Sequence, residues 1–230
     1  MNFRQHTKNI ILIGIANVFM YARNIFLLPI LSRTLGVSTY GLWSQLYAMI
    51  ELLIPLLVLS LPAAATRFLA AEVDKNVIKV GFWTSTLTAL ISSLLGGLVI
   101  LFLSLQARVF FGREMHQILD QLWILIILVI LSTVSNSCVN YFRTFERTNT
   151  FCLIMLMESF GFVIATIFFI SAGWKIMAPL TALIIIKILI CLWGIPKIIT
   201  EIGFCGIDRK VLQKYLSYAV PLIPMGILYW

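Results

Sequence analysis

Residues 27–72 read LLPILSRTLGVSTYGLWSQLYAMIELLIPLLVLSLPAAATRFLAAE, and this stretch decides the fold. It contains the end of one apolar segment, a polar turn over 32–41, and a second apolar segment that runs to Leu61. A hydrocarbon core about 30 Å thick needs about 20 helical residues to cross it. Gly36 and Gly41 allow the chain to reverse where a side chain would collide. The stretch therefore predicts a helical hairpin that crosses a membrane twice.

The composition supports a membrane protein. Hydrophobic residues make up 61% of the chain and charged residues 11%, against about 25% charged residues in an ordinary soluble domain. The net charge of +8 does not indicate a nucleic-acid partner, because the Lys and Arg residues lie in short loops between apolar runs. The four cysteines form no C-x-x-C pair, so no zinc site, cofactor or disulfide framework is predicted.

Six apolar segments are long enough to span a bilayer, and they predict an all-α polytopic membrane protein with six complete transmembrane helices. The segments cover residues 10–31, 42–61, 80–105, 118–139, 151–170 and 177–195. A seventh begins near Ser217 and has too few residues before Trp230 for a full crossing, which predicts a fragment of a longer protein or a truncated gene product. We therefore divide the chain into a six-helix lobe at 1–205 and, at 206–230, an amphipathic linker with the start of a seventh helix.

Two local patterns refine this arrangement. Gly96 and Gly97 lie inside the third segment, where missing side chains let a neighbouring helix approach closely. Residues 206–216 place apolar side chains on one helical face and charged side chains largely opposite, which predicts a helix lying on the inner leaflet. Alternate loops carry eleven Lys and Arg residues on one side and four on the other. Because basic residues concentrate on the cytoplasmic side, the amino terminus is predicted to be cytoplasmic.

Four ionisable residues lie at membrane depth, where an unpaired charge is costly. Counted from the segment ends, Arg23 and Glu51 reach the same depth on antiparallel neighbours, and so do Glu158 and Lys187. One interpretation is that they form two internal ion pairs that fix helix packing. The other is that some of them face a central cavity and bind an anionic group.

Further polar residues support the cavity interpretation. Asn17 and Asn24 lie on nearly the same face of the first helix, because they are seven residues apart, and Arg23 is on the flank of that face. Tyr47 and Glu51 share a stripe on the second helix. We take Arg23, together with these residues and the Glu158 and Lys187 positions, as the candidate substrate-binding set. No catalytic motif or metal-ligand spacing is present in the sequence, so an enzyme is not predicted.

The hairpin also carries a recognisable pattern. L-P-x-L-S-R-x-L-G-x-x-x-Y-G runs from Leu28 to Gly41, and A-x-x-R-F-L-A follows from Ala64 to Ala70. This pattern resembles the opening of the polysaccharide (oligosaccharidyl-lipid) flippases, a family in the large exporter superfamily that also contains multidrug extruders.

The resemblance implies two six-helix lobes that face a central cavity, which opens alternately to the two sides of the cytoplasmic (inner) membrane. The implied cargo is an oligosaccharide joined through pyrophosphate to a polyprenyl lipid, exported for cell-surface polysaccharides such as O-antigen. Membrane lipids, a glycan polymerase and glycosyltransferases are the implied partners. Two alternatives stay open: a multidrug or cation extruder of the same superfamily, and an inactive, non-transporting remnant.

Overall fold

The computed structural model describes residues 3–110 and 121–228. Inside its helices, the side chains of residues 3–10, 21, 24, 26, 105, 107–110 and 226–228 lie outside the description. Every regular element of the described residues is helical. The all-α prediction is confirmed for this part of the chain.

The elements follow one another with short connections. The helices are α1 (Phe3–Leu57), α2 (Leu61–Leu69), α3 (Lys75–Phe110), α4 (Leu122–Thr144), α5 (Thr148–Leu156), α6 (Phe162–Ser171), α7 (Met177–Ile202), α8 (Arg209–Ala219) and α9 (Ile223–Leu228). A π-helical turn, Met157–Gly161, joins α5 to α6, and a 3-10 turn, Val220–Leu222, joins α8 to α9. The predicted start of the fourth segment at residue 118 lies outside the described residues.

Five stretches of the described chain are long and apolar enough to cross a membrane. They are Leu27–Leu57, Lys75–Ser104, Leu122–Thr144, Thr148–Ser171 and Met177–Ile202. Ile11–Met20, in front of the first of them, is a shorter apolar helix. The chain therefore has the helices of a multi-pass membrane protein, while the count of six complete crossings stays a prediction.

α1 is broken at Gly36, where the backbone has φ +76° and ψ 165°. The break separates a first arm, 3–35, from a second arm, 37–57, and residues of both arms line common cavities. The predicted polar turn at 32–41 is wrong in extent, since only Gly36 leaves the helix. The reason is local: the hydroxyls of Ser32 and Thr34 donate hydrogen bonds to carbonyls of the preceding turn, so these polar side chains need no loop.

α4 is the most buried of the five candidate spans and packs at the centre of the bundle. α3 crosses it closely, because a Cβ atom on Gly97 would lie 2.6 Å from the Ile126 side chain. A Cβ atom on Gly96 would collide with Leu57 at the end of the second arm. The predicted close approach at the two glycines is confirmed, and it holds α1, α3 and α4 together.

α8 is amphipathic as predicted, but its apolar face packs on the protein. Tyr215 is buried and stacks on Phe68 of α2, with ring centroids 5.3 Å apart. Burial raises the pKa of Tyr215 to about 12. The segment before α8 is also fixed, because the Trp83 indole N–H donates a hydrogen bond of 2.7 Å to the Gly203 carbonyl. Tyr215 on the apolar face is thus covered by Phe68 of α2, and the contact of this helix with the inner leaflet stays a prediction.

Candidate functional site

The pair formed by Glu158 and Lys187 is a closed ion pair. Lys187 Nζ on α7 lies 2.6 Å from Glu158 Oε1, and the Lys187 side chain is only 9% exposed. Glu158 belongs to the π-helical turn Met157–Gly161, a geometry that inserts an extra residue into the helical turn and is frequent at functional sites. The pairing offsets the desolvation of both charges.

Arg23 and Glu51 have a different environment. Within the described part of the chain, no carboxylate oxygen lies within 4 Å of the Arg23 guanidinium, and its buried Nε has no hydrogen-bond acceptor. The guanidinium instead lies over the ring of Phe162, with 5.3 Å between Cζ and the ring centroid. Among the described residues, the contact of the Arg23 guanidinium is therefore with an aromatic ring and not with a carboxylate.

All four membrane-depth charges line one cavity of about 360 Å³, which we call the inner cavity. Both arms of α1, α4, α5, the π-helical turn and α7 form its wall. The polar and ionisable side chains of this inner cavity are Arg23, Tyr47, Glu51, Ser132, Asn136, Glu158 and Lys187. Because α4 supplies two uncharged polar groups among these charges, the inner cavity offers hydrogen-bond partners on several sides.

A second cavity of about 500 Å³ adjoins the inner one toward Gly36. It lies between the two arms of α1 and shares Arg23, Tyr47 and Glu51 with the inner cavity. We call it the aromatic cavity, because Tyr40, Trp43, Tyr47 and Phe162 line it. Its rings form a connected set: the Trp43 centroid lies 5.5 Å from that of Tyr47 and 6.5 Å from that of Phe162. Arg23 thus stands where a polar and an aromatic compartment meet.

The structure gathers five of the seven predicted site residues around these two cavities: Arg23, Tyr47, Glu51, Glu158 and Lys187. Asn17 does not join them, since it is exposed and lines neither cavity. The inward stripe of the first arm contains Ala16, Met20 and Arg23, and Asn17 is turned about 100° away from it. The side chain of Asn24 lies outside the described residues.

Three lining residues that bear on the chemistry of the site, Ser132, Asn136 and Phe162, were left out of the candidate set. Ser132 and Asn136 belong to a run of small polar residues at 132–140 in α4. Their spacing of four residues places them on one helix face, and this was the pattern that could have indicated them. Within the same run, Thr133 and Ser137 are buried and donate hydrogen bonds to carbonyls of their own helix. Nothing in the sequence distinguished Phe162, because it is one of several Phe residues in apolar segments.

The described residues contain no group of three or more His, Cys, Asp or Glu side chains arranged to hold a metal ion. The polar groups of the inner cavity are instead two cations, two carboxylates, a phenol, a hydroxyl and an amide. With Lys187 bound to Glu158, the cavity groups that have no ion-pair partner among the described residues are the Arg23 cation and the Glu51 carboxylate. Such a set suits the binding of a polar or charged solute through hydrogen bonds.

Comparison with known proteins gives one family. No curated protein and no solved structure matched the chain significantly. The family model described as "Polysaccharide biosynthesis protein" matches residues 6–228, which is almost the whole chain. The resemblance inferred from the hairpin pattern is confirmed by this match. With five apolar helices of spanning length in its described part and a family model that matches almost its whole length, the chain is a multi-pass membrane member of the polysaccharide biosynthesis protein family.

Proposed function

We propose that this protein moves a polyprenyl-pyrophosphate-linked oligosaccharide across the cytoplasmic membrane for cell-surface polysaccharide assembly. Family membership supports a role in polysaccharide biosynthesis. The observation that carries the transport proposal is Arg23, a membrane-depth guanidinium that lines two cavities without a carboxylate within 4 Å in the described chain. A pyrophosphate group is the anionic part of the proposed cargo, and guanidinium N–H groups bind phosphate oxygens with charge-assisted hydrogen bonds.

The remaining parts of the cargo fit the surroundings of Arg23. Ser132 and Asn136 of the inner cavity offer hydrogen bonds to hydroxyls, and Tyr47 offers its phenol between the two cavities. The polyprenyl chain stays in the bilayer beside the lobe. Alternating access then requires the six-helix lobe at 1–205 to rock against a second lobe, with the linker at 206–230 leading toward it.

The proposed orientation places the amino terminus in the cytoplasm. Gly36 then lies toward the outer surface of the inner membrane, and the α4–α5 turn lies at the cytoplasmic surface. This orientation follows from the excess of Lys and Arg in alternate loops. We propose no enzymatic reaction, since the cavity groups bind and orient a solute without a motif for bond cleavage. A glycan polymerase and glycosyltransferases are the proposed partners.

Glu51 supports a second candidate function. Its carboxylate lines both cavities and forms no ion pair in the described chain, which is the environment a cation extruder uses to bind its substrate. A cation substrate would depend on Glu51 and tolerate loss of Arg23. The glycan proposal has the opposite requirement, so the same two residues separate the two functions.

The test replaces Arg23 in the intact protein. Arg23→Ala is expected to abolish export of the lipid-linked glycan at normal membrane abundance. Arg23→Lys is expected to keep part of the export, because lysine retains the charge but cannot form the bidentate hydrogen bonds of a guanidinium. Arg33→Ala is the matched control, since Arg33 is exposed on the same helix and lines neither cavity. Export by Arg23→Ala equal to that of the unaltered protein would leave Arg23 with only a packing role.

A further inference from the structure

We infer that Phe162 is a positioning residue that holds the Arg23 guanidinium in place of a counter-ion and so keeps its N–H groups available to a phosphate. The inference rests on the proposed function, because it assigns a role within the same anion site. Phe162 has no side-chain group that can hydrogen-bond to either charge pair, and its residue type does not distinguish it in the sequence.

The contact has the geometry of a cation–π interaction. Arg23 Cζ lies 5.3 Å from the centroid of the Phe162 ring, inside the distance of about 6 Å over which the ring attracts a cation. Phe162 is only 1% exposed, and its ring packs against that of Trp43. A ring fixed in this way gives the guanidinium a defined position at the boundary of the two cavities.

A neutral ring and a carboxylate differ in how many N–H groups of Arg23 they leave free to bind an anion. A carboxylate beside Arg23 would accept its N–H groups and cancel its charge, so an incoming phosphate would have to displace it. The ring face attracts the charge and takes up few of the N–H donors, of which a guanidinium has five. Phe162 therefore supports Arg23 without competing with an anion.

The two nearby carboxylates are arranged in agreement with this role. Glu158 is engaged by Lys187 at 2.6 Å. Glu51 lines the same cavities and forms no ion pair with Arg23 within 4 Å in the described residues. Lys187 thus acts as a second positioning group, because it removes from Arg23 the carboxylate that the π-helical turn brings into the inner cavity.

The experiment weakens the π system of the Phe162 ring while its size stays nearly constant. Phenylalanines with one, two and three ring fluorines, and cyclohexylalanine, are incorporated at position 162 of the complete chain. Affinity for inorganic pyrophosphate is then measured calorimetrically with the purified protein in detergent. We expect the affinity to fall in steps along the fluorine series, reaching about tenfold for the trifluoro ring and for cyclohexylalanine.

Phe151 provides the matched control. It is a buried Phe on α5 and forms no cation–π contact in the described chain, so the same replacements there leave pyrophosphate affinity unchanged. A purely structural role for Phe162 predicts equal affinity across the fluorine series, because all of these rings fill the same space. One combination of results overturns the inference about Phe162 and leaves the proposed function standing. In it, the unaltered protein binds pyrophosphate, Arg23→Gln abolishes this binding, and the affinity stays constant along the fluorine series.

A second readout does not depend on the proposed function. In protein labelled with ¹⁵N-arginine, the Arg23 side-chain signal is identified by its loss in Arg23→Lys. Its proton shift is expected to lie upfield because of the ring current of Phe162, and to return to the ordinary range with cyclohexylalanine. If the unaltered protein fails to bind pyrophosphate, the anion site fails while this shift still reports the contact. An Arg23 signal that does not move with cyclohexylalanine overturns the inference on its own.

Discussion

Two pairs of opposite charges lie at matched depths in this bundle, and in the described chain only one of them forms an ion pair. Glu158 and Lys187 form an ion pair at 2.6 Å. Arg23 and Glu51 line the same cavities without an ion pair within 4 Å in the described chain. Depth follows from counting residues along a helix, but pairing also needs two side chains to point toward each other. Glu158 and Lys187 therefore satisfy each other's charge, whereas Arg23 and Glu51 do not do so within the described residues.

The difference has a structural origin. The ion pair of Glu158 and Lys187 joins the π-helical turn to α7, two elements that pack directly. Arg23 and Glu51 lie on the two arms of α1, which diverge from a single break at Gly36 and enclose the aromatic cavity. Packed helices bring charges into contact, whereas a hinge between long arms keeps them apart.

Breaking the closed pair from one side is expected to have the largest effect on stability. Lys187→Met leaves the Glu158 carboxylate without its partner in the bundle interior, and such a change costs about 3–5 kcal/mol. The free energy of unfolding is measured by denaturant titration in mild detergent. Most of this loss comes from an uncompensated charge, because methionine retains much of the volume of the lysine side chain.

The double variant E158Q/K187M tests that explanation. It removes both charges at once, so its free energy of unfolding is expected to return to within about 1–2 kcal/mol of the unaltered protein. A double variant as unstable as Lys187→Met would show that lysine packing, and not the ion pair, stabilises the lobe.

Neutralising Glu51 is expected to change the free energy of unfolding much less than breaking the ion pair of Glu158 and Lys187. Glu51 is exposed toward the cavities and has no ion partner in the described residues, so Glu51→Gln stays within about 0.5 kcal/mol in the same titration. A destabilisation above about 2 kcal/mol would mean that Glu51 and Arg23 do pair in the membrane, which contradicts the contrast between the two sites.

The sequence predicted those features that depend on one helix at a time. The apolar segments, the depth of each charge and the family pattern from Leu28 to Gly41 all follow from residue type and spacing. The close approach at Gly97 was also predictable, since a glycine inside a membrane helix has few other uses.

Features that depend on several helices could not be predicted in this way. The π-helical turn that contains Glu158 has no sequence signature. Asn17 shares a helix face with Asn24 in a wheel projection, yet the stripe through Ala16 and Met20 turns inward. The apolar face of α8 has the composition of a lipid-facing surface, and only tertiary packing shows Phe68 covering Tyr215.

A second ion pair, between the start of α5 and the end of α7, gives an exposed reference for the comparison. Arg147, just before α5, donates two hydrogen bonds to Glu201 Oε1 near the end of α7, and these hydrogen bonds raise the pKa of Arg147. The Arg147 side chain is 57% exposed, so water and salt screen the attraction. Glu201→Gln is expected to lower the free energy of unfolding by about 1 kcal/mol or less.

Salt distinguishes this pair from the buried one. Because screening acts on exposed charges, raising the ionic strength from about 0.1 M to 1 M should remove most of the Glu201→Gln effect while leaving the Lys187→Met effect nearly unchanged. Each variant removes one partner of an ion pair with α7, formed at the start of α5 for Glu201 and at the π-helical turn for Lys187, and the two pairs differ in burial. A salt-resistant loss above about 2 kcal/mol at Glu201 would show that burial is not what separates these pairs.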